Sequence, residues 1–276
     1  MVEPAETQQV VEPEPSVVEP AETTRTVRVI GIGTGDPGQL TGEAAAALAA
    51  SDYVVAADKG AADPLLSVRR DLCERYGVPL VAVPDPARDR DDPADYPAAV
   101  RAWHEARVDA YERVLRERPG DVAFLVWGDP AFYDSTLRIV DQLVERGRLS
   151  FEVEVVPGIS SPQLLAARHR IVLHQVGQPV VVTTGRRLSA TVAAGHDNVV
   201  VMLDGGLACL DLPTESWSEW RIWWGANLGT DAERLVAGVL AEVAPELRAQ
   251  REQVRQTAGW VMDTYLLRRL TDSQVP

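Results

Sequence analysis

Gly31-Ile32-Gly33-Thr34-Gly35-Asp36-Pro37-Gly38 closes a short β-branched run, Thr26–Ile32 (TVRVIGI), and the reading of this stretch decides the fold. The run reads as a buried strand, apolar and bounded by glycines. The glycines after it come close to a dinucleotide fingerprint but miss its spacing. G-x-G-x-x-G needs glycine at position 36, where Asp36 stands, and Pro37 sets a turn where that motif needs a helix N-terminus. What is left is a glycine loop at the C-terminal end of a strand, where open α/β sheets bind ligands. Taken alone, it reads equally well as a plain strand-to-loop turn.

Outward from that loop, strand and helix alternate. Thr41–Ala50 is helical by alanine content, with Thr41 as cap. Asp52–Ala57 is a second strand, Pro64–Tyr76 a helix stopped by Gly77 and Pro79, and Leu80–Val83 a third strand. Pro84–Pro97 reads as an Asp/Pro loop, and Ala98–Arg118 as a long polar helix. Asp121–Trp127 is a fourth strand, Ser135–Arg146 a helix and Phe151–Val156 a fifth strand. This alternation predicts parallel βαβ units. The second half differs. Strands are expected at Pro179–Thr184, Asn198–Leu203 and Trp220–Trp224, a helix over Asp231–Gln250 interrupted by Pro245, and a last strand within Gly259–Leu270. The expected fold class is α/β, with parallel βαβ units in the first half and a domain junction near Val156–Ser161.

The formal net charge is −14. That excludes a nucleic-acid backbone or an anionic membrane as the main partner, since both require a basic surface. Of this charge, −5 falls on residues 1–25, which carry six acids, four prolines and the hexapeptide VEPAET twice. Such a segment has too little apolar surface to offset its ordering entropy, and a disordered tail is expected. No run of about 18 apolar residues is present to span a membrane. Cys73 and Cys209, far apart, read as two buried thiols in a reducing cytoplasm. The four histidines form no ligand cluster, so no metal is expected. The tryptophans at 217, 220, 223 and 224 read as core, with a dimer surface as the other possibility.

Two further turns strengthen the ligand reading. Trp127-Gly128-Asp129-Pro130 follows the fourth strand and Val156-Pro157-Gly158-Ile159-Ser160-Ser161 follows the fifth. In a parallel sheet all strand C-termini lie on one edge, so these turns should converge on one crevice.

Together, G-x-G-x-G-D-P at the first strand, G-D-P-x-x-Y at the fourth and P-G-I-S-S at the fifth resemble the tetrapyrrole (corrin/porphyrin) methylases, as does Trp224-Gly225-Ala226-Asn227-Leu228-Gly229-Thr230. The resemblance spans about residues 27–270 and implies two α/β domains, 26–156 on a parallel sheet and 157–276 on a mixed sheet, with the active-site cleft between them. Thr34 departs from the Gly-Pro-Gly of many relatives, losing only proline's fixed φ. Ala57-Asp58-Lys59-Gly60 and Val68–Tyr76 are similar to the deacetylating branch of the family. The resemblance implies S-adenosylmethionine as methyl donor, leaving S-adenosylhomocysteine, with transfer to C1 of precorrin-5 and loss of its acetyl group as acetate. It also implies a homodimer.

By the same resemblance Gly33, Gly128, Asp129, Phe132, Ile159, Ser160, Met202, Leu203 and Ala226 line the donor, although Asp129 also reads as a turn former. A macrocycle bearing carboxylates calls for cations at the crevice. Lys59, Arg69, Arg70 and Arg186 are the candidates, with Arg187 beside the last and Gly35 and Asp36 at the rim. Any one of these charges is more often a solvated surface group than a ligand contact. Asp58 paired with Lys59 is the candidate for water activation and oxyanion stabilisation at the acetyl group, and Tyr133 with Asp134 the second choice. Two other readings stay open: a methylase of the same fold acting at C-20, C-17 or C-11 of a precorrin, or on a protein as diphthine synthase does, and a non-enzymatic nucleotide-binding module.

Overall fold

The computed structural model describes residues 24–60, 63–86 and 96–270. The expected tail thus lies outside the described residues except for its last two positions, as does most of the Asp/Pro loop.

The first half is a five-stranded parallel sheet. Its strands are β1 (Thr26–Gly31), β2 (Tyr53–Asp58), β3 (Leu80–Pro84), β4 (Val122–Val126) and β5 (Glu152–Val156), in the order β3-β2-β4-β1-β5. Helices α1 (Gly42–Ala49) and α2 (Pro64–Tyr76) cover one face, where Leu48, Leu72 and Cys73 pack on Ile30, Val54 and Leu125. Helices α3 (Tyr96–Glu117) and α4 (Thr136–Arg146) cover the other, where Val108, Tyr111, Ile139 and Leu143 pack on Val29, Val55 and Phe124. The caps show why the helices sit where they do. Thr41 Oγ1 accepts the Ala44 N–H, and Asp63 Oδ1 accepts those of Leu65 and Leu66. Gly77, at φ 68°, closes α2 in the left-handed region.

The chain then enters α5 (Ser161–His169), which packs on the second sheet. That sheet is mixed. Its strands β6 (Val181–Thr184), β7 (Asn198–Asp204), β8 (Trp220–Ala226), β9 (Arg234–Val239) and β10 (Asp263–Arg269) lie in the order β6-β7-β10-β8-β9, with only β6 and β7 parallel. Helix α6 (Leu188–Ala193) follows β6, and α7 (Leu240–Ala258) covers the tryptophan-rich face. Trp220 and Trp224 are core, Trp217 packs against them, and Trp223 lies on the opposite face. Both cysteines are free and buried, and burial pushes their thiols up, to about 11 for Cys73 and about 12 for Cys209.

One expectation is corrected. Residues 234–239 are not helical but form β9, where burial alternates through Leu235, Val236, Ala237 and Gly238 as it does in a strand. Gly238 is needed there, because a Cβ would lie 2.4 Å from Val243 Cγ1. Pro245 does not interrupt α7, which starts five residues earlier. The amide that proline lacks would have reached back to Ala241, in the first turn. Helices α5 and α6 are absent from the sequence reading.

Candidate active site

Because β4, β1 and β5 are neighbours, the loops after them meet, and they meet through backbone. Gly33 N donates to Gly128 O at 3.2 Å and Gly128 N to Gly33 O at 2.7 Å. Gly158 lies against both strands, so that a Cβ there would stand 2.2 Å from Gly128 O. Asp129 completes the knot. Its Oδ1 accepts the Ala131 N–H at 2.8 Å and its Oδ2 the Gly158 N–H at 2.9 Å. The turn-former reading of Asp129 therefore holds, because each oxygen serves a backbone amide. Gly35, at φ 121°, brings the first loop against Trp127 and Thr230, with a Cβ position 2.9 Å from the indole. Asp36 is exposed, and its carboxylate accepts the Gly38 N–H.

The second sheet approaches this knot across a narrow crevice. Thr34 and Trp127 line one side, and Ser161, Asn227, Leu228, Trp260, Met262 and Thr264 the other. Thr34 is 1% exposed, and its N–H and hydroxyl both donate to Gln39 Oε1. Thr34 Oγ1 and Gln39 Nε2 both crowd Gly229, where a Cβ would be 2.6 Å from the first and 2.7 Å from the second. The expected donor-lining residues divide by this geometry. Phe132, Ile159 and Met202 come together in one apolar cluster with Leu228. Leu203 is 56% exposed at φ 50°, a strained backbone for a leucine. Ser160 is buried, and its hydroxyl and N–H are both held by Gln163, so its side chain caps α5. Ala226 turns its Cβ into the core on the tryptophan face, away from Met202, so only its backbone is available.

Next to the knot, the sheet splits. β2 and β4 pair only at Tyr53–Val122 and Val54–Ala123, then diverge. A cavity of about 270 Å³ fills the split, with Val55, Ala57, Phe124 and Trp127 along its walls. Lys59, Asp63, Arg69, Arg107, Tyr133 and Asp134 supply its polar lining. Tyr133, at φ 52° and 47% exposed, is a second strained residue at the site. Burial raises its hydroxyl pKa. Burial lowers the Arg69 guanidinium, against the pull of Asp63 and Asp134.

The Asp58–Lys59 pair is not brought together. Asp58 accepts the Gly60 N–H and lines a neighbouring hollow with Ser67 and Arg70, while Lys59 lines the cavity in the split. Arg186 and Arg187 are exposed on the turn after β6, and neither lines the cavity.

Sequence reasoning missed Trp103, Arg107 and Tyr111 on α3. Arg107 is stacked 4.3 Å over the Trp103 ring and paired with Asp85 at 2.6 Å. The i,i+4 spacing of Trp103, Arg107 and Tyr111 was a visible signal of a shared face. Asn227, quoted above only as part of the Trp224–Thr230 motif, clamps the chain at 260–262 with both side-chain ends. Among the described residues no group of three His, Cys, Asp or Glu is disposed to hold a metal, and no helix is long and apolar enough to cross a membrane.

A parallel sheet carrying a knotted glycine edge faces a mixed sheet across a crevice. The family model of the Tetrapyrrole (Corrin/Porphyrin) Methylases matches residues 26–244, and the chain belongs to that family. Within it, the chain is 41% identical over 256 residues to a precorrin-6A synthase [deacetylating] of Sinorhizobium sp., covering 90% of this chain and 97% of that protein. It is 40% identical to the crystal structure of a cobalamin-synthesis-related protein (CobF) from Corynebacterium diphtheriae, with a TM-score of 0.78 over 90% of this chain and 100% of that one. The uroporphyrin-III-C-methyltransferase of Thermus thermophilus shares the fold at 21% identity, with a TM-score of 0.55 over 91% of this chain and 97% of that one.

Proposed function

We propose that this chain is an S-adenosylmethionine-dependent C-methyltransferase of aerobic cobalamin biosynthesis. In this reading it methylates precorrin-5 at C1 and releases acetate, giving precorrin-6A. The observation that carries the reading is the 41% identity to a deacetylating precorrin-6A synthase across 97% of that protein's length. We divide the chain into domains at 156/157 and place the enzyme in the cytoplasm as a homodimer, with a small tetrapyrrole as its substrate.

The residues around the knot fit the methyl donor. The knot carries no side-chain bulk at Gly128, which is buried with its Cβ position 3.8 Å from Ser160 Cα, so a ligand beside the turn meets main chain and not a side chain. The cluster of Phe132, Ile159 and Met202 gives an apolar bed, with Leu203 exposed next to it in sequence. Gln39 Nε2 is a buried amide donor without a partner among the described residues. When bound, the sulfonium supplies an electrophilic methyl group. The turns at Gly33, Gly128 and Ile159 would hold the donor by close packing, since the Gly33, Gly128 and Ser160 N–H groups are already bonded within the protein, and Trp127 and Trp260, 6.5 Å apart edge to face, would shield it from water.

Deacetylation needs water added to the acetyl carbonyl and an oxyanion stabilised. Lys59 and Tyr133, facing one cavity, meet the second need. Asp58 accepts a water proton from the adjoining hollow. The carbon–carbon bond to the ring then breaks with its electron pair left on the macrocycle, and acetate departs.

Incubation with precorrin-5 and methyl-labelled S-adenosylmethionine tests the reading. One label per corrinoid and one acetate released are expected. Methylation without acetate would assign the chain to another branch, and a protein that neither binds nor uses the donor would not be a methylase.

A further inference from the structure

The cavity in the split between β2 and β4 carries an inference that rests on the proposed function and specifies its chemistry. Where the two strands part, the Leu125 carbonyl faces the gap, and Arg69 Nε donates to it at 2.8 Å. That bond fixes the guanidinium from behind. Among the described residues its two terminal nitrogens make no hydrogen bond, and no carboxylate lies within ion-pair distance.

Apart from Lys59, assigned above to the oxyanion, the other charges around the cavity are engaged. Arg107 is paired with Asp85 and stacked on Trp103. Asp63 Oδ1 caps α2, and Asp134 Oδ1 accepts the Thr136 N–H at the start of α4. A fixed, desolvated guanidinium with two free donors in parallel is the geometry that matches a carboxylate. The volume, about 270 Å³, admits a short chain but no four-ring macrocycle. The walls of Val55, Ala56, Leu65 and Phe124 suit a methyl or methylene group. Asp63 and Asp134 disfavour a dianion such as phosphate relative to a monoanion. Trp127 lines both this cavity and the narrow gap against the second sheet.

We propose that this cavity is a seat for a short aliphatic carboxylate, gripped by the Arg69 fork. Such a group has two sources here: the acetate released by the reaction, or a carboxylate arm of the tetrapyrrole.

The test uses the whole protein, ¹³C-acetate titrated by NMR, and steady-state kinetics. Arg69→Gln is expected to weaken acetate binding at least tenfold or to raise the KM for the tetrapyrrole by a similar factor. Acetate binding that depends on Arg69 and inhibits turnover identifies the released product as the occupant. A KM effect without acetate binding identifies the arm. Acetate affinity and KM both unchanged in Arg69→Gln overturn the proposal. Should that variant fail to fold, Arg69→Lys keeps the charge and loses the fork. It is expected to weaken either readout several-fold, and unchanged values overturn the proposal. Calorimetry with S-adenosylmethionine runs in parallel. Donor binding retained while the carboxylate readouts fail removes the seat and leaves the methylase reading standing.

Discussion

The two sheets hold their polar groups in opposite ways. In the first, the loops at the strand ends are knotted by main chain: Gly33 and Gly128 exchange N–H bonds, and Gly158 is wedged against Gly31. In the second, buried side chains form the network. Tyr265 donates to Asp204 Oδ2, and Asp204 also accepts the N–H groups of Gly206 and Ala208. Asp263, fully enclosed, accepts from Arg251 at 2.6 Å and keeps its other oxygen unpartnered. A backbone knot can present a bare surface to a ligand, while a side-chain network fills the space it occupies. On the proposed donor assignment, the ligand-facing turns belong to the parallel sheet and the mixed sheet serves as the wall.

The comparison can be broken most severely at Gly158. A Cβ there meets backbone on every side, so Gly158→Ala should destabilise by at least ~3 kcal/mol, read as a lost or strongly lowered melting transition. Gly128→Ala, which meets no atom within 3.8 Å but sits at φ 72°, should lose only about 1 kcal/mol. Equal effects would mean that the close approach is not what shapes the knot.

The side-chain network is tested by pH. Burial pushes Asp263 up to about 6 despite the pull of Arg251. A carboxyl raised in the folded state binds more protons there than when unfolded, so stability falls as pH rises from about 4 to 6 and is then level. Asp263→Asn removes that dependence. Its melting temperature relative to the parent protein should therefore improve as pH rises through this window, by up to about 3 kcal/mol or several degrees. A pH-independent difference would remove Asp263 as the titrating group.

The two hollows flanking Lys59 come next. Asp58→Asn should lower turnover about a hundredfold while donor binding stays unchanged by calorimetry. Equal product yields would move the proton chemistry to the side of Tyr133. The smallest effect is expected at the join between the two halves. Thr34→Val removes one hydroxyl donor from Gln39 Oε1 and leaves the Thr34 N–H bond, for about 1 kcal/mol in a melting experiment.

Much of the first half was legible because its signals are local. Asp63-Pro64 and Gly77 bracket α2 over Pro64–Tyr76 as read, since cap and left-handed glycine act within one turn. The convergence of the glycine turns followed from strand direction alone. The second half mixed its signals. Residues 234–239 precede a true helix without a break, and their strand character comes from pairing with β8, which is remote in sequence. The separation of Asp58 from Lys59 was legible in principle, since successive residues leaving a strand point to opposite sides. The cavity was not. It depends on β2 and β4 parting after two pairs and on Trp103 and Arg107 facing inward from α3. No local pattern encodes how far two strands stay together.

The Asp129 carboxylate has one further consequence. By holding Ala131 with one oxygen and Gly158 with the other, it ties two loops that are 29 residues apart into a single rigid rim. Under the proposed donor assignment, this tie lowers the ordering cost that the two loops would otherwise add on association.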